Sequence, residues 1–266
     1  MNRRGHQHPP VPLLKSKSSS TMNRRLISRQ LMMITELEIR RSKPEVTLEP
    51  LDLVLALFDA RGEEITILQV GACDGVNNDP IYDHVVKGFT RAILVEPNPF
   101  AFARLQKTYA GLPKVTLIQT AIGEHDGEAH LYRVKNSNQV ESENLSFQVA
   151  SFYSEHLERH GHKPDDIERI SVPCRSLQSL VAELGLPKID ILQVDAEGFD
   201  SAVVRMALKM PVRPDCINFE HVHLRAVDRK PLFELLKVHG YLLGYDASNI
   251  LALQMPLLER LKKGKT

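Results

Sequence analysis

From residue 65 onward, short apolar runs alternate with amphipathic stretches. The runs are Ile65–Val70, Ala92–Val95, Val115–Ile118, Ile189–Val194 and Cys216–Phe219, each rich in Ile, Val and Leu and bounded by Gly, Pro or charge. Strands buried on both faces read this way. Between them, periodic apolar positions predict helices near Pro80–Lys87, Pro99–Tyr109, Ser176–Leu184, Asp200–Met210 and Asp228–His239. An earlier helix is expected over Pro50–Arg61, and a lead-in helix on Leu26, Ile27, Leu31, Ile34 and Leu37. Repeated strand–helix alternation implies an α/β fold, a Rossmann-like doubly wound sheet that is mostly parallel. Its end differs: Tyr241–Tyr245 and Asn249–Leu253 are joined by only three residues, too few for a crossover helix. They form a hairpin, so the terminal strand runs antiparallel.

The alternation is interrupted from about 124 to 174 by an expected strand (Ala129–Val134), a polar loop (Asn136–Ser146) and a helix near Phe152–His160. An insertion before the fourth parallel strand is expected to lie over the carboxyl ends of the strands, where open α/β sheets bind ligands. It is read as a lid or specificity element. Asn144-Leu145-Ser146 matches the glycosylation pattern, without consequence in a cytoplasmic protein.

Composition narrows the field. The chain has 266 residues, with Lys+Arg 34 against Asp+Glu 33, so no overall field points to nucleic acid or an anionic membrane. No apolar run approaches the ~20 residues that span a bilayer. Cys73, Cys174 and Cys216 lie far apart in sequence, which suits reduced thiols and a cytoplasmic location rather than disulfides or a zinc framework. Residues 1–43 read as a disordered basic extension: Met1–Thr35 carries seven Lys or Arg and no acid. Residues 259–266 read as a basic tail.

Three stretches carry candidate chemistry. In Val70-Gly71-Ala72-Cys73-Asp74-Gly75 a buried strand enters a tight turn, where Gly71 allows close backbone approach and Gly75 a positive φ. The next strand ends in Glu96-Pro97-Asn98, with Glu96 placed 21 residues after Gly75 (96 − 75). A carboxylate there can accept both hydroxyls of a ribose. The turn is acidic and is not G-x-G-x-x-G, which suits a cationic ligand better than a pyrophosphate. Val194-Asp195-Ala196-Glu197-Gly198 places carboxylates at the same sheet edge, although Glu197 and Asp200 could simply complement a helix N-terminus. Finally, Glu220-His221-Val222-His223 ends a buried strand. Alternation sets Glu220 opposite Phe219 and His221, and a His is a common general base near neutral pH. Asp195, Glu220 and a His could chemically hold a divalent ion, but no metal is assigned.

Together these stretches resemble the FkbM family of methyltransferases. The match comprises Val70–Gly75 with Asn78-Asp79-Pro80, Val95-Glu96-Pro97, Ala121-Ile122-Gly123 with Gly127, Val172-Pro173-Cys174 with Leu177, Val194–Gly198, and Phe219–Leu224. The resemblance covers roughly residues 60–254 and implies a class I methyltransferase fold, with the domain set at residues 44–258, S-adenosylmethionine as cofactor, and O-methylation of a sugar, glycan or secondary metabolite. By position it implies that Gly71, Ala72, Asp74 and Gly75 meet the methionine end and that Glu96, with Pro97, holds the ribose. Asn98, Ala121 and Ile122 would flank the adenine and Asp195 would face the sulfonium. Glu197, Glu220, His221 and His223 are then the acceptor-side catalytic candidates. Two competing readings are an NAD(P)-binding oxidoreductase and a non-catalytic protein that keeps the fold. The acceptor and the oligomeric state stay open.

Overall fold

The computed structural model describes residues 49–88, 90–135, 148–224 and 226–262. The expected lead-in helix, the polar loop 136–146 and the glycosylation pattern lie outside them. In chain order the elements are α1 (Pro50–Arg61), β1 (Ile65–Val70), α2 (Tyr82–Val86), β2 (Thr90–Val95), α3 (Pro99–Thr108), β3 (Val115–Ile118), β4 (Ala121–Ile122), β5 (Gly127–Val134) and β6 (Ala150–Ser151). They continue with α4 (Ser154–Arg159), β7 (Ile167–Arg175), α5 (Leu177–Glu183), β8 (Ile191–Val194), α6 (Asp200–Lys209), β9 (Cys216–Glu220), α7 (Ala226–Val238), β10 (Tyr241–Tyr245), β11 (Asn249–Gln254) and α8 (Met255–Lys262).

The main sheet has the order β10-β11-β9-β8-β1-β2-β3. β3, β2, β1, β8 and β9 are mutually parallel. The terminal strand β11 enters between β9 and β10, antiparallel to both. Strand alternation sends Leu68, Val70, Leu192 and Val194 into one apolar layer under α5, α6 and α7. Ile65, Ile67 and Ile191 go to the other, under α1, α2, α3 and α8. Both faces are thus covered, as a doubly wound parallel sheet requires. α8 corrects the expected tail: Leu257, Leu258 and Leu261 are buried, so residues 259–262 continue a packed helix.

The interruption before β8 folds into a second sheet, ordered β4-β7-β5-β6. Its long antiparallel pair joins β5 to β7 from Gly127–Cys174 to Val134–Ile167. Ala121, Leu131, Val172 and Cys174 form its small core. β6 and α4 reach the main sheet's edge, where Ser151 Oγ donates to the Glu197 carbonyl at 2.7 Å.

Candidate functional site

The site grows from the carboxyl ends of β1, β2 and β8. Beyond β1 the backbone folds over β2, with the Gly71 and Ala72 amides donating to the Val95 carbonyl at 2.9 and 3.0 Å. Gly71 has φ +83°, and a Cβ there would run into the backbone carbonyl of Asp195. The close approach that demands glycine is therefore made by the neighbouring strand end. At Gly75, with φ +72°, a Cβ would run into the side chains of Leu105 in α3 and of Tyr109 just past its end. Thr108 Oγ1 and Tyr109 OH donate to the carbonyls of Asp74 and Gly75 at 2.8 and 3.1 Å, pinning the turn from behind.

Glu96 connects this turn to the next. Its Oε2 accepts from the Cys73 amide at 2.9 Å and its Oε1 from the Asn98 amide at 2.7 Å. Burial pushes its carboxyl up to about 7, against the opposing pull of those two amides and with help from Glu197 and Asp74. Each oxygen has a second lone pair to offer.

Gly71 and Glu96 line one small cavity of about 60 Å³. Pro97, Ala121, Ile122, Leu131 and Phe152 give it an apolar end, and Asp195 and Glu197 an acidic one. Its lining thus combines apolar walls, a carboxylate that can accept from hydroxyls, and negative charge. Asp195, Glu197 and Gln148 also line a second, larger cleft, shared with Gln193, Glu220, His160 and His223. The two spaces therefore meet at the Asp195–Glu197 loop.

That loop is held in an unusual shape. Glu197 has φ +47° and Cys73, across the cavity, also has φ +47°. Left-handed backbone at non-glycine residues is concentrated where ligands bind. Buried Asp200 shapes the loop by accepting from the amides of Ala196 and Gly198 at 3.3 and 3.2 Å. Carboxylates crowd together here. Desolvation, then Glu197, Asp200, Glu220 and Glu96, hold Asp195 well above the usual carboxylate range, although the residue is itself exposed along the cavity walls. Burial, then Asp200 and Glu197, pushes Glu220 up to about 8.

The remaining expected residues separate. Ala72 is buried beneath the turn. Asp74 turns onto its own loop, accepting from Val76 and Asn77, and lines neither space. Asn98 caps α3, its Oδ1 accepting from the Phe100 amide and from Arg133, and it too lies outside the cavity. Glu220 and His223 face the cleft, but His221 lines none of the described cavities, and its backbone is tied to Ser248 and Arg229. Sequence reasoning missed Thr120, Leu131, Ser151 and Phe152 in the cavity wall, and His156, whose Nε2 lies 2.6 Å from Glu197 Oε2. No local pattern marks them, because the small sheet and α4 bring them in from a distance.

The family model of the methyltransferase FkbM domain matches residues 69–248. Among solved structures, the chain is similar to the FkbM methyltransferase of Methylobacillus flagellatus KT, at 14% identity over 83% of this chain and 47% of that one, with a TM-score of 0.44. It is also similar to an O-methyltransferase from Bacillus cereus in complex with SAH, at 13% identity over 91% and 94%, with a TM-score of 0.39. A precorrin-6y C5,15-methyltransferase from Geobacter metallireducens GS-15 matches at 10% identity over 80% and 92%, with a TM-score of 0.39. No curated protein matches the chain.

Proposed function

The chain belongs to the FkbM methyltransferase family and uses S-adenosylmethionine, and from that premise we propose that it methylates a hydroxyl oxygen of a sugar, glycan or hydroxylated metabolite. The observation that carries this reading is the junction at Asp195–Glu197, which borders both the cavity lined by Gly71 and Glu96 and the wide polar cleft. The bound cofactor supplies an electrophilic methyl group on a sulfonium. Glu96 would accept the ribose hydroxyls on its free lone pairs, and Asp195 would face the positive charge in a crowded acidic pocket where a cation relieves carboxylate repulsion.

An acceptor hydroxyl must lose its proton when its oxygen takes the methyl group. Glu220 lines the cleft and its carboxyl is pushed up to about 8, a proton affinity high enough to draw off a hydroxyl proton, so in its ionised form it is assigned as the general base. His221, expected from the sequence to share that role, is not assigned to it, because it lines no described cavity. Glu197 positions the junction, and the small sheet with α4 (residues 121–175) acts as the acceptor-specificity element. The catalytic domain is assigned to residues 44–258 together with α8. The three free cysteines fit a reducing, cytoplasmic setting. Among the described residues, no helix is long and apolar enough to cross a membrane.

The decisive experiment offers methyl-labelled cofactor and a panel of sugars, glycans and hydroxylated metabolites, and locates the label by mass spectrometry. Label on oxygen supports the proposal, and label on nitrogen or carbon overturns it. If S-adenosylhomocysteine binds but no acceptor in the panel or in metabolite extracts is methylated, the non-catalytic reading replaces it. Glu220→Gln should lower turnover about 100-fold or more while leaving S-adenosylhomocysteine affinity within about twofold, as expected for loss of a general base.

A further inference from the structure

Three histidines converge at the rim of the larger cleft. His156 lies in α4 and His160 one turn later, immediately past its end, so the i, i+4 spacing puts both on one face. His223 comes from the turn after β9. The ring centroids of His156–His160, His156–His223 and His160–His223 are 4.6, 4.9 and 5.1 Å apart, with interplanar angles of 44°, 81° and 56°. The His156–His223 pair is edge-on and the other two pairs are tilted, so no two rings stack in parallel. One potential ligand atom from each lies within 4.8 Å of the other two.

We propose that His156, His160 and His223 bind one divalent transition-metal ion of the zinc type. A tetrahedral ion with metal–nitrogen bonds of about 2.0–2.1 Å needs nitrogens about 3.3 Å apart. His160 is exposed and His223 half-buried, so modest ring rotations close the remaining gap. Two carboxylates flank the cluster: Glu197 Oε2 at 2.6 Å from His156 Nε2, and Glu220 Oε2 at 3.4 Å from His223 Nε2. Carboxylates beside metal-bound imidazoles orient the rings and raise their basicity, or complete the coordination. His156 is buried, and its Nδ1 has no hydrogen-bond partner among the described residues.

The ion would serve the acceptor side, since His160, His223, Glu197 and Glu220 all line the cleft. An open coordination position there would take a water or an acceptor oxygen and lower its pKa. That use rests on the proposed methyl transfer; the metal site does not.

The test uses the untagged full chain, stripped with chelator and titrated with Zn2+ by calorimetry and with Co2+ by visible absorption. One ion per chain is expected, with tetrahedral cobalt bands that Zn2+ displaces. His160→Ala and His223→Ala, which leave the cofactor cavity intact, should each weaken binding about 100-fold, while His125→Ala has no effect. S-adenosylhomocysteine binding is measured on each variant to confirm folding, together with circular dichroism, so a failed cofactor reading does not obscure the metal result. Absence of stoichiometric binding, or affinity unchanged in the His160→Ala/His223→Ala double variant, overturns the proposal.

Discussion

Replacing Glu96 by Gln probes the cofactor cavity with the least change in shape. The native carboxylate accepts one backbone amide on each oxygen, from Cys73 at 2.9 Å and Asn98 at 2.7 Å, leaving a lone pair on each for a ribose hydroxyl. Gln keeps one oxygen and turns the other position into a donor. One ribose hydroxyl then loses its acceptor. A hydrogen bond to a charged group contributes about 1.5–3 kcal/mol, so S-adenosylhomocysteine should bind roughly 10- to 150-fold more weakly. The charge also makes binding pH-dependent. Burial raises the carboxyl from an ordinary 4.5 to about 7 in the ligand-free protein. Wild-type affinity should therefore be highest above pH 7 and fall about tenfold by pH 6, while the Gln variant stays flat. The stability of the ligand-free protein runs the other way. A carboxylate whose folded pKa is raised destabilises the fold as it ionises, so stability declines as pH climbs from 4.5 through about 7. Calorimetric titration from pH 5.5 to 8.5, with a melting curve at each pH, measures both. Equal affinity of variant and wild type at pH 8, or a flat wild-type profile, would refute the ribose assignment.

Gly71→Ala drives a Cβ into the Asp195 carbonyl at a left-handed φ, and should cost about 3 kcal/mol or more, lowering Tm by roughly 6–12 °C. A Tm within 2 °C of wild type would mean the strand ends are less tightly apposed than described. Asp200→Ala strips the acceptor from the Ala196 and Gly198 amides, so hydrogen exchange across 195–198 should accelerate and the melting point fall by an amount equivalent to about 1–3 kcal/mol; unchanged exchange would show that the loop holds its shape without Asp200. Burial raises the thiol pKa of Cys73, Cys174 and Cys216, so none should be alkylated rapidly by iodoacetamide at pH 7.5, and fast labelling of Cys73 would contradict its described surroundings.

How legible each feature was in the sequence follows from the range of the interaction behind it. The strand Ile65–Val70, the turn after it and the acid ending the next strand could be read from residues within a few positions of one another, because burial on both faces forces continuous apolar runs. The Gly71 signal was real, but its cause was not legible: the atom filling the Cβ position belongs to Asp195. Asp74 and Asn98 match the motif by position, yet each side chain is occupied by amides of its own turn. Glu220 facing away from Phe219 was fixed by the two-residue strand period, and it is why Glu220, and not His221, borders the cleft.

The sequence by itself determined the alternating elements, the glycine turn and the hairpin, since each is set by local periodicity and backbone preference. Only the tertiary structure decided that β11 slots between β9 and β10, that a second sheet walls the cavity with Leu131 and Phe152, and that His156 and His160 meet His223. Those outcomes depend on packing between segments distant in the chain, where contact energy rather than spacing selects the partner.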